Sequence, residues 1–566
     1  MIRRTAASTI MVALLSGAAT GPVEHSLAIR LTPQVSGGAV DGIVVQETFD
    51  VEALLAGATL VSLPMVSQSV PGVLDDPATL VASDPSGPLP LAMVEDPVDP
   101  SGIKQDRHWR TSRATGGRIT VTYMARPRAI TPETKPAALI DMRTEGQGVY
   151  GSTQMLLALP EGGWPRKVTI DWDLAAMAPG SRAVTSFGEG NSTTTLDADT
   201  LAYGYFMAGP WQKLPPTADR GFMVYYLTPP AFDLDAAAQD VAATYRYATR
   251  FFGTAPQPFR ALMRTTQRFQ GGGGGGRNSF IFGTVKGEGR EPDEINALLT
   301  HEALHNWINA MKKGPQGAWF DEGATNYYTA ILPYRIGRRS IAQVEAQIGE
   351  WTSNYYGNAR RTMGEDAARA AFWTDADAQM LPYSRGPLYI ALVDARLRAI
   401  SGGRKRVDPL VRTMVHAIRD GTASEDMWLS LVSQALGERG RQDFADLKAG
   451  RMLDLPADLF GPCFRREAGP VRRYSPGFRI ETGTDGRRTA GPVRPGSPAA
   501  TAGLTRGDEI LNWADLDGAA RQPGAAVSLR IRQAGTLRDV HLEPWGPARD
   551  GFRWGASTPR PAVCNL

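Results

Sequence analysis

The sequence predicts a multidomain α+β protein, with a β-sandwich-like domain first, a mainly helical domain after it and a small β-rich unit last. Three observations carry this. The chain has 566 residues, more than one hydrophobic core serves. Up to about Pro230, β-branched clusters such as 117–123 and 167–172 are cut at short intervals by Pro, Gly, Asp and Ser. Near Ala236 the apolar spacing becomes helical, and near Pro476 short strands return.

Residues 1–28 read as an export signal. Arg3 and Arg4 form its basic end, Ile10 to Leu15 its apolar centre, and cleavage falls after Ala28 or Ala19. The apolar run is short for a span, and no later stretch approaches about 20 apolar residues, so no membrane span is expected once the signal is removed. An uncleaved anchor is the alternative. Export to the periplasm is the expectation, and no cysteine near the signal's end suggests a lipid. Elsewhere the composition is ordinary, 42% hydrophobic and 21% charged with a net charge of +3. No dense basic stripe with interleaved aromatics appears, which excludes a nucleic-acid footprint; Arg404, Lys405 and Arg406 follow two glycines as a solvated loop.

Residues 29–232 form the expected β domain, whose role is to shape a cleft. A catalytic-type domain is placed at 233–460. It opens with a helix over 233–252, where Val241, Ala242, Tyr245 and Ala248 share a face, followed by a strand at 259–263. Six consecutive glycines, 271–276, then lead into Arg277, Asn278 and Ser279. Glycine lets a backbone approach a ligand closely, and without a Gly-Lys-Ser/Thr ending a phosphate loop is excluded. A strand edge that receives an extended peptide is the better reading, with Gly274, Gly275, Gly276 and Asn278 as substrate-binding candidates.

The chemistry is carried by Thr300-His301-Glu302-Ala303-Leu304-His305-Asn306-Trp307. His301 and His305 are one helical turn apart, roughly 6 Å along the axis, so their rings can converge on one ion. Two of only six histidines fall at this spacing around a Glu. Glu302 follows the first histidine where its carboxylate reaches a metal-bound water without binding the metal. Pro292, Asp293 and Glu294 suit the start of that helix, and Ile295, Leu298 and Leu299 bury one face. A catalytic zinc takes three protein ligands, and Glu322, separated from His305 by sixteen residues, is the candidate third. Residues 312–317 supply the intervening turn. One Zn2+ per chain is therefore expected, and with it a zinc hydrolase. Further helices are expected at 341–355, 386–400, 408–419 and 425–436.

The last unit is placed at 466–548, with 549–566 as a tail. Its stretch 493–511 implies a strand, a short helix and a Gly-Asp turn into another strand, and resembles a PDZ domain, whose groove takes an extended segment or a peptide's C-terminus. A β-rich module that binds nothing is the alternative. Cys463 and Cys564 are the only cysteines; in an exported protein they can pair and tie the tail down, or stand as two buried thiols.

Together these pieces resemble the glycyl aminopeptidase family of gluzincin zinc metallopeptidases, which joins an N-terminal β domain, a thermolysin-like catalytic domain and a C-terminal PDZ domain. The resemblance rests on residues 301–307, on Trp319-Phe320-Asp321-Glu322-Gly323-Ala324-Thr325-Asn326-Tyr327-Tyr328, and on Tyr383-Ser384-Arg385-Gly386. It implies that His301, His305 and Glu322 hold zinc, that Glu302 moves the proton, and that Tyr383 donates to the oxyanion; simple packing near Tyr389 is the alternative for Tyr383. It implies a peptide substrate and aminopeptidase action. One departure stands out: relatives carry a Glu in the glycine-rich segment to pair with the substrate's amino terminus, whereas 274–276 are all glycine, leaving Asp321 or Glu288 as substitutes. An exported endopeptidase, or a non-catalytic PDZ-type binding protein with a structural metal site, are the rival readings. Asn326, one turn beyond Glu322, is either a partner of the metal ligands or a surface residue.

Overall fold

The computed structural model describes residues 25–566 apart from 69, 75, 98–103, 131–137, 218–219, 267–272, 277, 288, 312–317, 373, 483–486, 521, 523, 558 and 560–563. Residues 1–24, with most of the expected export signal, the first two glycines of the run, Arg277, Glu288 and the turn 312–317 lie outside the described residues.

The first domain is a sandwich built on alternation. In Ser26–Ser36, Leu27, Ile29 and Leu31 point inward, and on the neighbouring Ala39–Leu54 Ile43, Val45 and Phe49 do the same. Seven strands form the larger sheet, and Val61, Leu63 and Trp109 face it from a second sheet. Because Ser26–Ser36 pairs with Arg166–Trp172 from Ser26 onward and Leu27 is fully buried, the domain begins before residue 29. Cleavage after Ala28 would remove paired and buried strand positions.

One acid lies inside this core. Glu47 is fully buried; its Oε1 accepts from Ala158 N at 3.0 Å and from Tyr123 Oη at 3.1 Å, while Oε2 meets no partner. Burial outweighs those hydrogen bonds and pushes its pKa up to about 8. The folded state therefore holds this proton more tightly than the unfolded chain. The contribution is complete below the unfolded value near 4.5 and is lost as pH rises through about 8. We expect unfolding free energy to fall between pH 5 and 9 by on the order of 3–5 kcal/mol in the wild type, and Glu47→Gln to flatten that decline. Urea titrations at the two pH values check it.

A third sheet, Arg143–Glu145, Gly148–Ser152, Tyr205–Gly209, Arg182–Thr185 and Gly188–Glu189, joins the sandwich to the next domain. Tyr150, Val184, Tyr205 and Met207 pack on Leu262 and Ile281 of a five-stranded sheet ordered Gln212–Leu214, Phe222–Tyr226, Phe259–Thr266, Ser279–Val285, Gly273–Gly276. This second domain thus starts near residue 212 rather than 233. Its first two strands look in sequence like continued β domain, and only their pairing with Phe259–Thr266 assigns them.

Helices make up the rest of this domain and share one apolar core with that sheet: Leu234–Phe251, Pro292–Leu304, Ala318–Arg335, Ile341–Tyr356, Leu381–Ser401, Asp408–Arg419, Glu425–Leu436 and Glu438–Ala449 are the long ones. The last of these had no counterpart in the sequence expectation, and the helix expected from 386 begins at Leu381 with a proline in its first turn. Ala318–Arg335 and Leu381–Ser401 cross where Gly323 meets Gly386; a Cβ built on either would stand 2.6 Å from the other's Cα. No other residue allows that approach, which brings Glu322 and Tyr383 to one side. No helix among the described residues is long and apolar enough to cross a membrane.

In the last unit, Ile480–Thr482, Arg488–Ala490, Glu509–Ile510, Val527–Gln533 and Thr536–Leu542 form a sheet closed by Pro498–Thr501 and Ala514–Ala520 around Leu504, Ile510, Leu529 and Ile531. Residues 549–566 are no simple tail: Arg549–Ala556 pairs with Phe464–Val471 along its whole length. Beside that pair, Cys463 is bonded to Cys564. The chain end then docks on the helical domain. Leu566 is buried in its core, Arg335 Nε donates to Leu566 O at 2.8 Å, and Tyr334 Oη donates to Cys564 O at 3.0 Å.

Candidate metal centre

Pro292–Leu304 buries Ile295, Leu299, Ala303 and Leu304 and leaves His301 and Glu302 partly exposed. His305 caps the helix but keeps helical dihedrals (φ −60°, ψ −12°), so the one-turn spacing survives the helix end. Glu322 comes from the N-terminal part of Ala318–Arg335, held in place by the Gly323–Gly386 crossing.

These three side chains converge. His301 Nε2 lies 3.1 Å from Glu322 Oε2 and 3.1 Å from His305 Nε2, and His305 Nε2 lies 3.5 Å from Glu322 Oε2. An ion bound tetrahedrally at about 2.0–2.1 Å needs its ligand atoms roughly 3.3–3.4 Å apart, so the donor set fits zinc in spacing as well as in chemistry. Among the described residues this is the one such group, and it offers three ligands, not four. Both rings are oriented from behind: His301 Nδ1 faces Asn326 Oδ1 at 3.1 Å, and His305 Nδ1 faces Ile308 O at 2.9 Å. A carbonyl oxygen only accepts, so each Nδ1 carries its proton and each Nε2 can present a lone pair to an ion.

The electrostatics match. Burial raises the Glu322 carboxyl, but hydrogen bonds from His301 and His305 outweigh it and hold the group well below the usual carboxylate range. Against the effect of burial, Glu322 and then Glu302 lift His305 to about 10. A site that stabilises an added proton this strongly stabilises a dication in its place. Glu302 is shifted the other way: burial raises its pKa, against the pull of His301 and His305. A carboxylate raised from its ordinary range is a better proton acceptor.

The glycine strand runs beside Glu302. A Cβ on Gly275 would meet only Glu302 Oε2, at 4.0 Å. The other three positions are closed to any side chain: a Cβ at Gly273 would overlap the Phe280 ring, one at Gly274 would reach 2.5 Å from Tyr205 Oη, and one at Gly276 would reach 2.2 Å from Tyr203 O. Among the described residues this strand pairs only with Ser279–Val285, which leaves its other edge without a strand partner there. Asn278 is the hairpin's turn residue, at φ +54°, off the line of the strand. Tyr383 stands with its ring centroid 6.2 Å from that of His301; burial, then Glu322, pushes its phenol well up, so it remains a proton donor. Asp321 is raised to about 6 by burial and by Glu322, and accepts from Glu322 N at 2.9 Å.

Tyr205 had no place in the sequence expectation. It arrives from the first domain, 70 residues before Gly275, with its hydroxyl 3.5 Å from Gly275 O. Nothing in the sequence marks it, because only the docking of two domains sets it against the glycine strand.

No known family's sequence pattern matches the chain, and no characterised protein does by sequence. Solved structures do. An aminopeptidase N family protein from Idiomarina loihiensis superimposes with a TM-score of 0.65 at 16% identity, over 94% of this chain and 98% of that one. An M1 zinc metallopeptidase from Deinococcus radiodurans gives 0.43 at 14% identity, over 76% and 94%. The first likeness shows that this chain has the fold of that protein across nearly its whole length.

Proposed function

We propose that the protein is a zinc-dependent peptidase that removes residues from the amino end of peptides, of the glycyl aminopeptidase type. The observation that carries this is three ligand atoms at tetrahedral spacing, with a raised carboxylate beside them and a glycine strand edge that no described strand pairs with. His301, His305 and Glu322 would hold the ion, one per chain. Bound zinc supplies a Lewis acid that polarises a carbonyl and lowers the pKa of water from 15.7 to about 7. Glu302 takes a proton from the attacking water and passes it to the leaving amine. Tyr383 donates a hydrogen bond where negative charge develops on the scissile carbonyl oxygen. The edge of Gly273–Gly276 aligns the substrate backbone, and Tyr205 sets its hydroxyl against Gly275 O. The name of the Idiomarina loihiensis neighbour, an aminopeptidase N family protein, supports the reading. An exported, periplasmic protein, and a PDZ-like last unit that takes an extended segment or a peptide's C-terminus, complete it.

One observation favours endopeptidase action instead: Gly274, Gly275 and Gly276 offer no acid for a substrate's amino group. The test is hydrolysis of amino-terminally free and acetylated peptides, with and without a chelator. Chelator-sensitive cleavage of the free set alone establishes the aminopeptidase; cleavage of both establishes the endopeptidase; cleavage of neither leaves the non-catalytic binding protein.

A further inference from the structure

Pro387 lies inside the helix Leu381–Ser401, one turn after Tyr383. In a helix the carbonyl of residue 383 accepts from the N–H of residue 387, and proline has none. The Tyr383 carbonyl is therefore freed by the sequence itself, and it is claimed from another helix: Asn326 Nδ2 donates to Tyr383 O at 3.1 Å. The same amide faces His301 on its other side, with Oδ1 at 3.1 Å from Nδ1. Shape alone does not distinguish the two ends of an asparagine amide, but these neighbours do. Tyr383 O can only accept, so the atom facing it is Nδ2. The atom facing His301 is then Oδ1, which can only accept, so His301 Nδ1 keeps its proton.

We infer that Asn326 is a two-way positioning residue: its amide oxygen holds His301 in the tautomer that frees Nε2 for a metal, and its amide nitrogen holds the backbone of Tyr383. The inference rests on the peptidase reading for the role of Tyr383. Asn326 and Glu322 are one turn apart on Ala318–Arg335, so a single helix face supplies a ligand, orients a second ligand and anchors the segment that carries the oxyanion donor. The proline matters to this: with any other residue at 387, the helix's own N–H would compete for the carbonyl.

Two variants separate the two links. Asn326→Asp keeps the shape and the acceptor for His301 but has no donor for Tyr383; Asn326→Ala has neither. Zinc affinity is read by chelator competition, and kcat on an amino-terminally free peptide is read with zinc saturating. The expected result is zinc binding weakened about 10–100-fold in Asn326→Ala, and held within about threefold of the wild type in Asn326→Asp. In both, kcat falls about tenfold or more at saturating zinc. The absorption spectrum of the cobalt(II)-loaded protein should change in Asn326→Ala and not in Asn326→Asp. Wild-type zinc affinity in Asn326→Ala, or wild-type kcat in Asn326→Asp, overturns the inference while leaving the peptidase reading intact. A wild-type protein that binds no zinc overturns both.

Discussion

Glu302→Gln is expected to retain one zinc per chain and to lose kcat by about 10²–10⁴-fold, or about 3–5 kcal/mol of transition-state stabilisation. The substitution keeps the shape of the side chain and removes only its capacity to hold a proton. His301, His305 and Glu322 still face one another at 3.1–3.5 Å, because the groups that orient them, Asn326 and Ile308 O, do not involve Glu302. Loss of one negative charge near the rings weakens cation binding slightly, so zinc content is measured by elemental analysis on the same sample as kcat. Near-normal turnover with zinc retained would remove Glu302 from the proton path.

His305→Ala is expected to lose the metal itself. It removes one of three ligands, strips Ile308 O of its partner, and leaves Glu322 with one imidazole instead of two. Zinc per chain should fall from one to near zero after dialysis, and activity should fall to background and not return with micromolar zinc. The fold should hold, since His305 is only half-buried and lies outside the apolar core. Full occupancy in this variant would mean that the ligand set is a different one.

The site was legible in the sequence wherever its chemistry is local. His301, Glu302 and His305 are read from one helical turn, and Glu322 from the length of chain needed to fold back. What lay beyond reading depends on residues that meet only after folding. Tyr205 meets Gly275 because two sheets dock, and the Gly323–Gly386 crossing joins helices that are far apart in sequence. Pro387 shows the intermediate case. Its effect on the Tyr383 carbonyl is fixed by sequence alone, but the partner that takes up that carbonyl is not. The boundary near residue 212 was missed for the same reason: a strand's own residues do not say which sheet it joins.

The bond between Cys463 and Cys564 joins residues 101 positions apart and encloses the whole last unit in one covalent ring. Tension between the helical body and the chain's end would thus travel through two sulfur atoms and bypass the sheet between them. A cut anywhere in the enclosed segment would open the ring without releasing either piece, so a nicked molecule would run as two bands on a gel only once a thiol reagent had been added.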